Sequence, residues 1–532
     1  MSAASKRSAS EKVKIDNAVP RAASAFNPGP LFGAVLTGVL LFLSFPKFGC
    51  GAIAWVAWVP LLIALRGKGV REAMILGFSA GLVFHVGILY WITYVVVKYG
   101  SLSLTLGVAA MLLLCAYLSL YTAVFAAGCV LFRNCAPLLA VPLLWTGLEF
   151  IRGWIFTGFP WETLAYSQYR YLPLIQIADV TGPAGLSFLI VVVNTLLFQA
   201  LITKRASMRF GSIAAIAVVF LLLSGYGIWR LDDVREGMAK SASIPVSLIQ
   251  GNIDQNLKWN PRYQRDTVEA YLSQSARYLP PPGGVIVWPE TAVPFYFQDD
   301  GPLQRRILAF ARDHRVWIVL GSPTYADRAV GTNFANSAFL VDPDGRIAGR
   351  YDKVHLVPYG EYVPLRRYFP FISKLAVGVG DFRPGRGYFP LSLNGHCLGI
   401  LICYEGIFPA AGTDYKRRGA EMLVNITNDA WFGPTSAPYQ HLSMTVFRAV
   451  ETRTYLCRAA NTGISAFISP TGEITKKTGL FLRSGLAGEV RLLAKKTIYS
   501  TYGDFFAYSS IVVLLGMTIV AWMRRKHERD RI

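Results

Sequence analysis

One apolar run that ends in a cysteine decides the fold of the second half of the chain: Leu398-Gly-Ile-Leu-Ile-Cys403-Tyr-Glu405-Gly-Ile-Phe-Pro409. The run is short, contains β-branched residues and is followed by glycine and proline, a pattern that favours a buried strand. A sharp turn after such a strand exposes the next side chain at the edge of the sheet, where α/β proteins place their sites. Because a nucleophile must be exposed to its substrate, Cys403 is the first candidate for catalysis.

Region 240–495 around this run alternates between apolar, β-branched segments and amphipathic ones. That alternation predicts βα units and therefore an α/β domain, here with antiparallel edges. Asp342-Pro-Asp-Gly345 and Ser469-Pro-Thr-Gly472 lie between apolar runs and predict hairpin turns. The predicted strands are 245–250, 285–288, 316–321, 334–341, 398–403 and 422–427, and the predicted helices are 264–278, 303–314 and 439–451.

Two further reactive side chains follow strand-like runs, Glu290 after Val287-Trp-Pro and Lys353 after Arg350-Tyr-Asp. A thiol attacks only as the thiolate, so it needs a base to take its proton or a cation to lower its pKa. Glu290 and Lys353 supply both, and the Lys353 ammonium with the backbone N–H of Tyr404 forms an oxyanion hole. Taken singly, each residue has an ordinary alternative: a buried small cysteine, a glutamate in a first helical turn, a solvated lysine.

Composition places the rest of the chain in a membrane. The 532 residues are 53% hydrophobic and only 16% charged, which is too apolar for an ordinary water-soluble protein. Apolar stretches long enough to span a bilayer, or nearly so, recur along the chain. Seven of them precede the polar region, at 31–45, 52–65, 74–97, 104–132, 138–156, 185–202 and 210–229, and an eighth follows it at 505–523.

The distribution of basic residues predicts the direction of these spans. Lysine and arginine concentrate in the tail 1–28, in the connections 66–71, 133 and 204–209, and in the tail 524–532. By the positive-inside rule both termini are cytoplasmic. The membrane domain 29–230 then has seven transmembrane helices, and the domain 240–495 is extracytoplasmic. The helix 505–523 crosses the membrane again, so the C-terminal tail 524–532 is cytoplasmic. The first two runs are short and flank Pro46, so a re-entrant pair is the alternative there.

Several other classes of site are not indicated. The formal net charge of +21 comes without a basic stripe interleaved with aromatic residues, so no nucleic-acid partner is expected. Seven cysteines form no CxxC pair and six histidines show no i, i+4 spacing, so we expect no metal. No phosphate-cradling glycine-rich loop appears, and we expect no cofactor.

Two loops near the candidate site combine aromatic residues with basic neighbours, Phe295-Tyr-Phe297 and Tyr368-Phe-Pro-Phe-Ile372. Loops of this kind dip into a lipid interface, or they cover the core of their own domain. The sequence favours neither role over the other.

The glutamate, lysine and cysteine motifs together, in this order, resemble the nitrilase (carbon-nitrogen hydrolase) superfamily, whose α-β-β-α sandwich carries a Glu-Lys-Cys triad. Four longer stretches resemble motifs of its membrane-bound branch, the apolipoprotein N-acyltransferases. The predicted order of seven spans, an outer domain and a final span also resembles that branch. These stretches are Gln250-Gly-Asn-Ile-Asp-Gln-Asn-Leu-Lys-Trp259, Trp288-Pro-Glu-Thr291, Tyr351-Asp-Lys-Val-His-Leu-Val-Pro-Tyr-Gly-Glu-Tyr-Val-Pro364 and Asn425-Ile-Thr-Asn-Asp-Ala-Trp-Phe-Gly433.

The resemblance implies a role for each candidate residue. Glu290 is the proton acceptor, Lys353 stabilises the oxyanion and Cys403 is the nucleophile. Glu361 and Glu405 are carboxylates around the cysteine that tune the protonation of Glu290 and Lys353 or hold Lys353 in place. The alternative for each is a structural ion pair with an arginine or a lysine. Trp259, Tyr404 and Trp431 match positions near the substrate entrance. The alternative is that these aromatic side chains only pack in the core. The supporting residues are Glu361, Tyr404 and Glu405, and the substrate-binding ones are Trp259 and Trp431.

The resemblance also implies the reaction. Cys403 takes an acyl group from a phospholipid, and the N-terminal diacylglyceryl-cysteine of an apolipoprotein removes it as an amide, the last step of lipoprotein maturation. The setting is the bacterial inner membrane, with the catalytic domain on the periplasmic side. A membrane-anchored amidase or nitrilase is the alternative, but it leaves the seven spans unexplained. A transporter or receptor with a binding domain leaves the Glu-Lys-Cys set unexplained.

Overall fold

The computed structural model describes residues 28–100, 102–326, 334–363 and 382–529, with the backbone alone for 521 and 524–529. The predicted basic tail 1–28, apart from Pro28, lies outside the described residues. So do the aromatic loop 368–372 and the side chains of the tail 524–532.

Among the described residues, helices are the regular structure of the first half of the chain, and each predicted apolar run is helical over much of its length. Within the described residues, four helices are long and apolar enough to cross a membrane: 70–89, 104–131, 178–202 and 206–239. The nine helices with their bounds are α1 (Gly29–Leu43), α2 (Val59–Ala64), α3 (Val70–Leu89), α4 (Trp91–Lys98), α5 (Leu104–Leu131), α6 (Pro137–Arg152), α7 (Leu172–Ile175), α8 (Ala178–Ile202) and α9 (Ala206–Ala239).

The second predicted span, 52–65, is not one continuous helix. A 3-10 turn at Gly51–Trp55 precedes α2, whose six residues rise only about 9 Å. This segment packs antiparallel on α1, since Gly33 lies against Ala64 while, further along α1, the Leu61 N–H donates to Thr37 Oγ1 at 2.9 Å. The third predicted span, 74–97, is divided at Tyr90 between α3 and α4. The apolar helices are therefore confirmed, whereas a count of eight spans is not.

Two six-stranded sheets form the core of the second half, in the orders β12-β1-β2-β3-β4-β5 and β11-β10-β9-β8-β7-β6. The central pairs β1-β2-β3 and β7-β8-β9 are parallel, and the outer pairs are antiparallel. The strands are β1 (Ser243–Gln250), β2 (Val285–Val287), β3 (Trp317–Tyr325), β4 (Phe334–Val341), β5 (Ile347–Asp352), β6 (Leu391–Leu393), β7 (His396–Ile402), β8 (Met422–Thr427), β9 (Tyr455–Ala460), β10 (Ala466–Ile468), β11 (Ile474–Lys477) and β12 (Ser484–Arg491).

Helices cover the outer faces of both sheets, which gives the predicted nitrilase-like α-β-β-α layering. Alternate residues of β2 show the layers, since Val285 and Val287 belong to the core between the sheets and Ile286 to the core under the helices. Phe297 is fully buried in that second core, against Phe339. The helices are α10 (Gln255–Lys258), α11 (Gln264–Arg277), α12 (Pro302–His314), α13 (Pro409–Arg417), α14 (Ala437–Thr452), α15 (Ile498–Tyr502) and α16 (Phe505–Arg529).

The sandwich rests on one end of the helical half. Gln440 of α14 donates to the carbonyl oxygens of Pro46 and Ile88 and accepts from the indoles of Trp91 and Trp161, all at 2.9–3.1 Å. On the same side, Arg453 donates to Asp179 at the start of α8 at 2.8 Å. These contacts join the two halves into one interface along α14.

Candidate active site

Cys403 occupies a strained turn at the end of β7. The strand ends at Ile402, and Cys403 begins a 3-10 turn with φ at +52°. A non-glycine residue in the left-handed region costs about 1–3 kcal/mol and persists only where its surroundings hold it. Cys403 is only 9% exposed. The sharp turn predicted from the sequence is therefore present, but it leaves the cysteine buried and not exposed as expected.

Glu290 follows β2 and lies in the same buried centre. Its Oε1 accepts from Asn336 Nδ2 at 2.7 Å and its Oε2 from the backbone N–H of Asn428 at 2.9 Å. Lys353 Nζ is 3.8 Å from Oε1. These contacts fix the carboxylate in one orientation while both oxygens retain lone pairs for a further proton.

Lys353 is held by Glu361 rather than by solvent. Its Nζ lies 3.0 Å from Glu361 Oε1 and 2.9 Å from Oε2, and the lysine is 1% exposed. Glu361 is fixed in turn by the Val357 N–H at 2.8 Å and by Asn336 Nδ2 at 2.8 Å. Glu361 therefore forms an ion pair with Lys353, and its role in catalysis stays a prediction.

Charge and burial set the resting protonation of the thiol and the ammonium. Burial, followed by the charge of Glu290, raises the pKa of the Cys403 thiol, and Lys353 offsets this only in part. Burial alone would lower the pKa of Lys353, but Glu361 and Glu290 outweigh it and raise that pKa above its usual value. At neutral pH the site therefore holds a protonated thiol, which needs a base, beside a permanent cation.

Glu405 joins the cysteine turn to the lysine loop. Its Oε2 accepts from the Ile402 N–H at 2.7 Å, and its Oε1 accepts from the N–H groups of Val354 and His355 at 2.7 and 3.1 Å. The Tyr351 hydroxyl donates to Oε1 at 2.8 Å. Burial raises the pKa of Glu405 to about 7 although these donors favour the carboxylate. Glu405 makes no ion pair among the described residues, and its hydrogen bonds join two backbone segments.

A second polar network supports the cysteine turn from below. His441 Nε2 donates to the carbonyl oxygen of Cys403 at 3.2 Å, while its Nδ1 faces Asp429 and Arg458 at 3.1 Å. Burial and then the Arg458 charge lower the pKa of His441, so its neutral form accepts from Arg458. Burial would raise the pKa of Asp429, but the charge of Arg458 lowers it to about 2. The network thus keeps an ionised aspartate fully buried.

Sequence reasoning missed Lys258 and Asn336. Lys258 is 1% exposed, and its Nζ donates to the backbone carbonyl of Glu290 at 3.1 Å and to Thr291 Oγ1 at 3.2 Å. Asn336, on β4, links the carboxylates of Glu290 and Glu361. The only signal for Lys258 was its place beside Trp259 in the motif 250–259.

The aromatic candidates lie at the border with the helical half. The Tyr404 hydroxyl donates to the Gly158 carbonyl at 3.4 Å. Trp431 packs edge-on against Tyr99 after α4, with ring centroids 4.8 Å apart, and Trp259 is half-buried at the end of α10. Neither indole has a hydrogen bond to the three central residues in the described part of the chain. That part also contains no group of three or more His, Cys, Asp or Glu side chains able to hold a metal ion.

Family models match both halves of the chain. Residues 245–490 match carbon-nitrogen hydrolase, and residues 37–196 match the apolipoprotein N-acyltransferase N-terminal domain. The fold, the buried acid-ammonium-thiol centre and the first match together define the class: a nitrilase-superfamily enzyme built onto apolar helices.

Curated relatives narrow this class to one family. The apolipoprotein N-acyltransferase of Geobacter metallireducens is 47% identical over 502 residues, covering 92% of this chain and 95% of the relative. That of Methylococcus capsulatus is 33% identical over 504 residues, covering 93% and 96%. The chain belongs to the apolipoprotein N-acyltransferase family. Among solved structures, a carbon-nitrogen hydrolase from Helicobacter pylori G27 is 17% identical and covers 46% of this chain and 88% of its own, at a TM-score of 0.35, a likeness too slight to add weight.

Proposed function

We propose that this chain completes bacterial lipoproteins by transferring a fatty acyl group from a phospholipid to the N-terminal diacylglyceryl-cysteine of an apolipoprotein. Family membership supports the acyl transfer to lipoprotein. The observation that carries the mechanism is the buried centre in which Lys353 Nζ lies 3.8 Å from Glu290 Oε1 and both share charge interactions with Cys403. That centre faces the helices from which both lipids would arrive.

In the first half-reaction, Glu290 accepts the thiol proton as Cys403 Sγ attacks the ester carbonyl of a phospholipid acyl chain. A base is required because burial and Glu290 raise the thiol pKa. The Lys353 ammonium, with the Tyr404 N–H, stabilises the oxyanion that forms. Glu290 then returns the proton to the departing glycerol oxygen, so lysophospholipid leaves and a Cys403 thioester remains.

In the second half-reaction, the free α-amino group of the diacylglyceryl-cysteine attacks the thioester. Glu290 takes a proton from that amine, the C–S bond breaks, and the product is an amide with the thiol regenerated. Water in place of the amine would turn the cycle into phospholipid hydrolysis. The low exposure of Cys403, at 9%, is suited to preventing this.

The same proposal includes the placement of the chain in the inner membrane. Eight segments cross it, both termini are cytoplasmic, and the sandwich 240–495 is periplasmic. Contacts with the sandwich support this, since they occur at Pro46 after α1, at Trp91 after α3 and at Asp179 at the start of α8. If α1 and the segment 51–64 instead form a re-entrant pair, the number of crossings before the sandwich stays odd. Its compartment is therefore the same in either case.

Intact-mass spectrometry of the purified chain after incubation with phospholipid alone tests the proposal. We expect an added acyl mass that hydroxylamine removes, that Cys403→Ser abolishes, and that a diacylated lipopeptide discharges. Cys397→Ser, at the opposite end of the same strand β7, is the matched control and should acquire the acyl group normally. Failure of the wild-type chain to acylate the lipopeptide would overturn the assignment.

The same samples distinguish the hydrolase alternative. An amidase or nitrilase with this centre would turn over soluble amides in detergent without phospholipid. We expect no such turnover here, and phospholipid-dependent amide formation instead. Turnover of a small amide that requires Cys403, without acylation of the lipopeptide, would favour the hydrolase.

A further inference from the structure

A groove opens between four helices at the end of the bundle remote from the sandwich. It has a volume of about 1230 Å³ and is lined by α1, the segment 56–68, the end of α8 and the start of α9. Apolar residues such as Leu36, Leu40 and Ile63 form its walls, and Ile63 is 44% exposed. The volume exceeds the roughly 300–1,000 Å³ of ordinary small-molecule pockets. A large apolar occupant is therefore required to fill it.

The depth of the groove corresponds to one leaflet of a bilayer. Its walls run along α1 from Gly29 to Leu40, and the eleven helical steps between these two residues rise about 16 Å. Half of a hydrocarbon core of about 30 Å is about 15 Å. The length of the groove along α1 thus matches the length of the acyl chains in a single leaflet.

Three cations stand at the mouth: Arg66, Lys68 and Arg209. Lys68 is engaged by Glu72 at 2.9 Å. Arg209 donates one bond to the Thr203 carbonyl at 3.3 Å, and the Arg66 guanidinium has no hydrogen bond or ion pair within the described residues. No carboxylate lines the groove itself. Two guanidinium groups therefore remain to bind an anion at the level of the head groups.

We propose that this groove binds a phospholipid with an anionic head group, its acyl chains against the apolar walls and its phosphate on Arg66 and Arg209. In the topology proposed above this lipid belongs to the cytoplasmic leaflet, opposite the acyl-transfer site. It is a bound companion and not the acyl donor, because the whole thickness of the bundle separates it from Cys403. Basic clefts between membrane helices at the cytoplasmic face are suited to such head groups.

Native mass spectrometry of the full chain in detergent tests the site, with phosphatidylglycerol and phosphatidylcholine of identical acyl chains as probes. Only intact lipid adducts that denaturation removes are counted, so an acyl thioester at Cys403 does not contribute. We expect the wild type to retain phosphatidylglycerol preferentially. The pair Arg66→Gln and Arg209→Gln should lower that retention about 30-fold, toward the level of phosphatidylcholine.

Two further variants separate head-group binding from the groove itself. Ile63→Trp fills the groove with the cations intact and should reduce retention of both lipids. Arg133→Gln removes an exposed cation of the same predicted face that does not line the groove, and it should change nothing. Equal retention of the two lipids by the wild type, or unchanged retention in the double glutamine variant, would overturn the proposal. Neither result bears on acyl transfer, which the thioester experiment measures separately.

Discussion

Two buried lysines with different partners flank Glu290. Lys353 is paired with carboxylates that raise its pKa, whereas burial lowers the pKa of Lys258 to about 8 because its hydrogen-bond partners are a carbonyl and a hydroxyl. Lys353 therefore stays charged at all working pH values. Lys258 changes charge close to neutrality, within interaction range of Glu290 and Cys403.

We predict that Lys258→Met lowers the rate of thioester formation about tenfold at pH 7, the equivalent of one pKa unit in a reacting group. In the wild type the rate should fall above about pH 8, because Lys258 loses its proton there and no longer stabilises the thiolate. The variant has no such proton to lose, so its rate should lack this alkaline decline. Acylation rates measured from pH 6.5 to 9.5 check both expectations.

Lys416→Met is the matched control for that experiment. Lys416 is also buried with a pKa lowered to about 8 by burial, but it donates to carbonyls of Ala420 and Leu493 away from the site. We expect its profile to keep the wild-type alkaline limb. If Lys258→Met keeps that limb as well, another group is responsible for it.

Glu405→Gln tests the alignment of the cysteine and lysine loops. A glutamine has one acceptor oxygen, so its amide must face either the Ile402 N–H or the N–H pair of Val354 and His355. The resulting displacement should lower the rate of thioester formation by about 100-fold, with little change in apparent phospholipid affinity. Glu421→Gln, which removes a half-buried contact with His396, is the control. A loss confined to affinity would contradict this role.

At the level of residues, the sequence predicted the reactive side chains that directly follow strands. It missed a side chain that reaches the site only through tertiary packing. Glu290 and Cys403 each follow a short apolar run, and Lys353 follows the strand-like Arg350-Tyr-Asp, so all three were candidates from the sequence alone. Lys258 was not, because a lysine in a polar loop is ordinarily solvated. It is buried because α10 lies beside the turn after β2, where its Nζ donates to the Glu290 carbonyl and the Thr291 hydroxyl.

Strands were predictable where both faces are apolar and not where the pattern is mixed. β1, β4 and β8 lie close to their predicted bounds, whereas β5 and β12 were missed because exposed polar residues interrupt them. β9 is fully buried but was also missed, since Arg458 in its middle is atypical of a core strand. The Arg458 guanidinium pairs with the buried Asp429 carboxylate and neutralises its charge.

Arg458→Met tests this network, which joins β8, β9 and α14. Without the guanidinium, the Asp429 carboxylate stays buried with no cation at 2.8 Å, and removing one partner of a buried pair costs about 3–5 kcal/mol. We expect a clear fall in the melting temperature in detergent, measured by intrinsic fluorescence. Adding Asp429→Asn should restore part of it, because the buried charge is then gone.

Arg491→Met provides the comparison for the buried pair. Its partner Glu489 lies 3.6 Å away and both side chains are exposed, so the expected loss is at most about 1 kcal/mol. Equal effects of the two arginine substitutions would show that the Asp429 network contributes no more than a surface pair.

At the scale of the whole molecule, one glutamine makes four of the hydrogen bonds that join the sandwich to the helical half. Gln440 satisfies two indole N–H groups and two backbone carbonyls that are otherwise buried at the interface. Sequence patterns predicted both halves but not this junction. A single polar residue such as Gln440 in an amphipathic helix does not indicate which distant groups it will bind. The acyl-transfer site depends on the junction, since α14 also supplies His441 beneath Cys403.

Gln440→Leu should therefore open the interface while leaving the sandwich folded. Leucine matches the volume but leaves the donors and carbonyls unpaired, at about 1–3 kcal/mol for each buried group. We expect faster hydrogen exchange in segments 88–98 and 158–168 and loss of lipopeptide acylation, without faster exchange in β1 to β4. Gln304→Leu, a buried glutamine of α12 bonded to the Phe297 carbonyl at 3.0 Å, removes one bond far from the junction and should leave both segments protected. If exchange rises equally across the sandwich in Gln440→Leu, the two halves unfold as one unit, and the glutamine stabilises the whole protein rather than the junction.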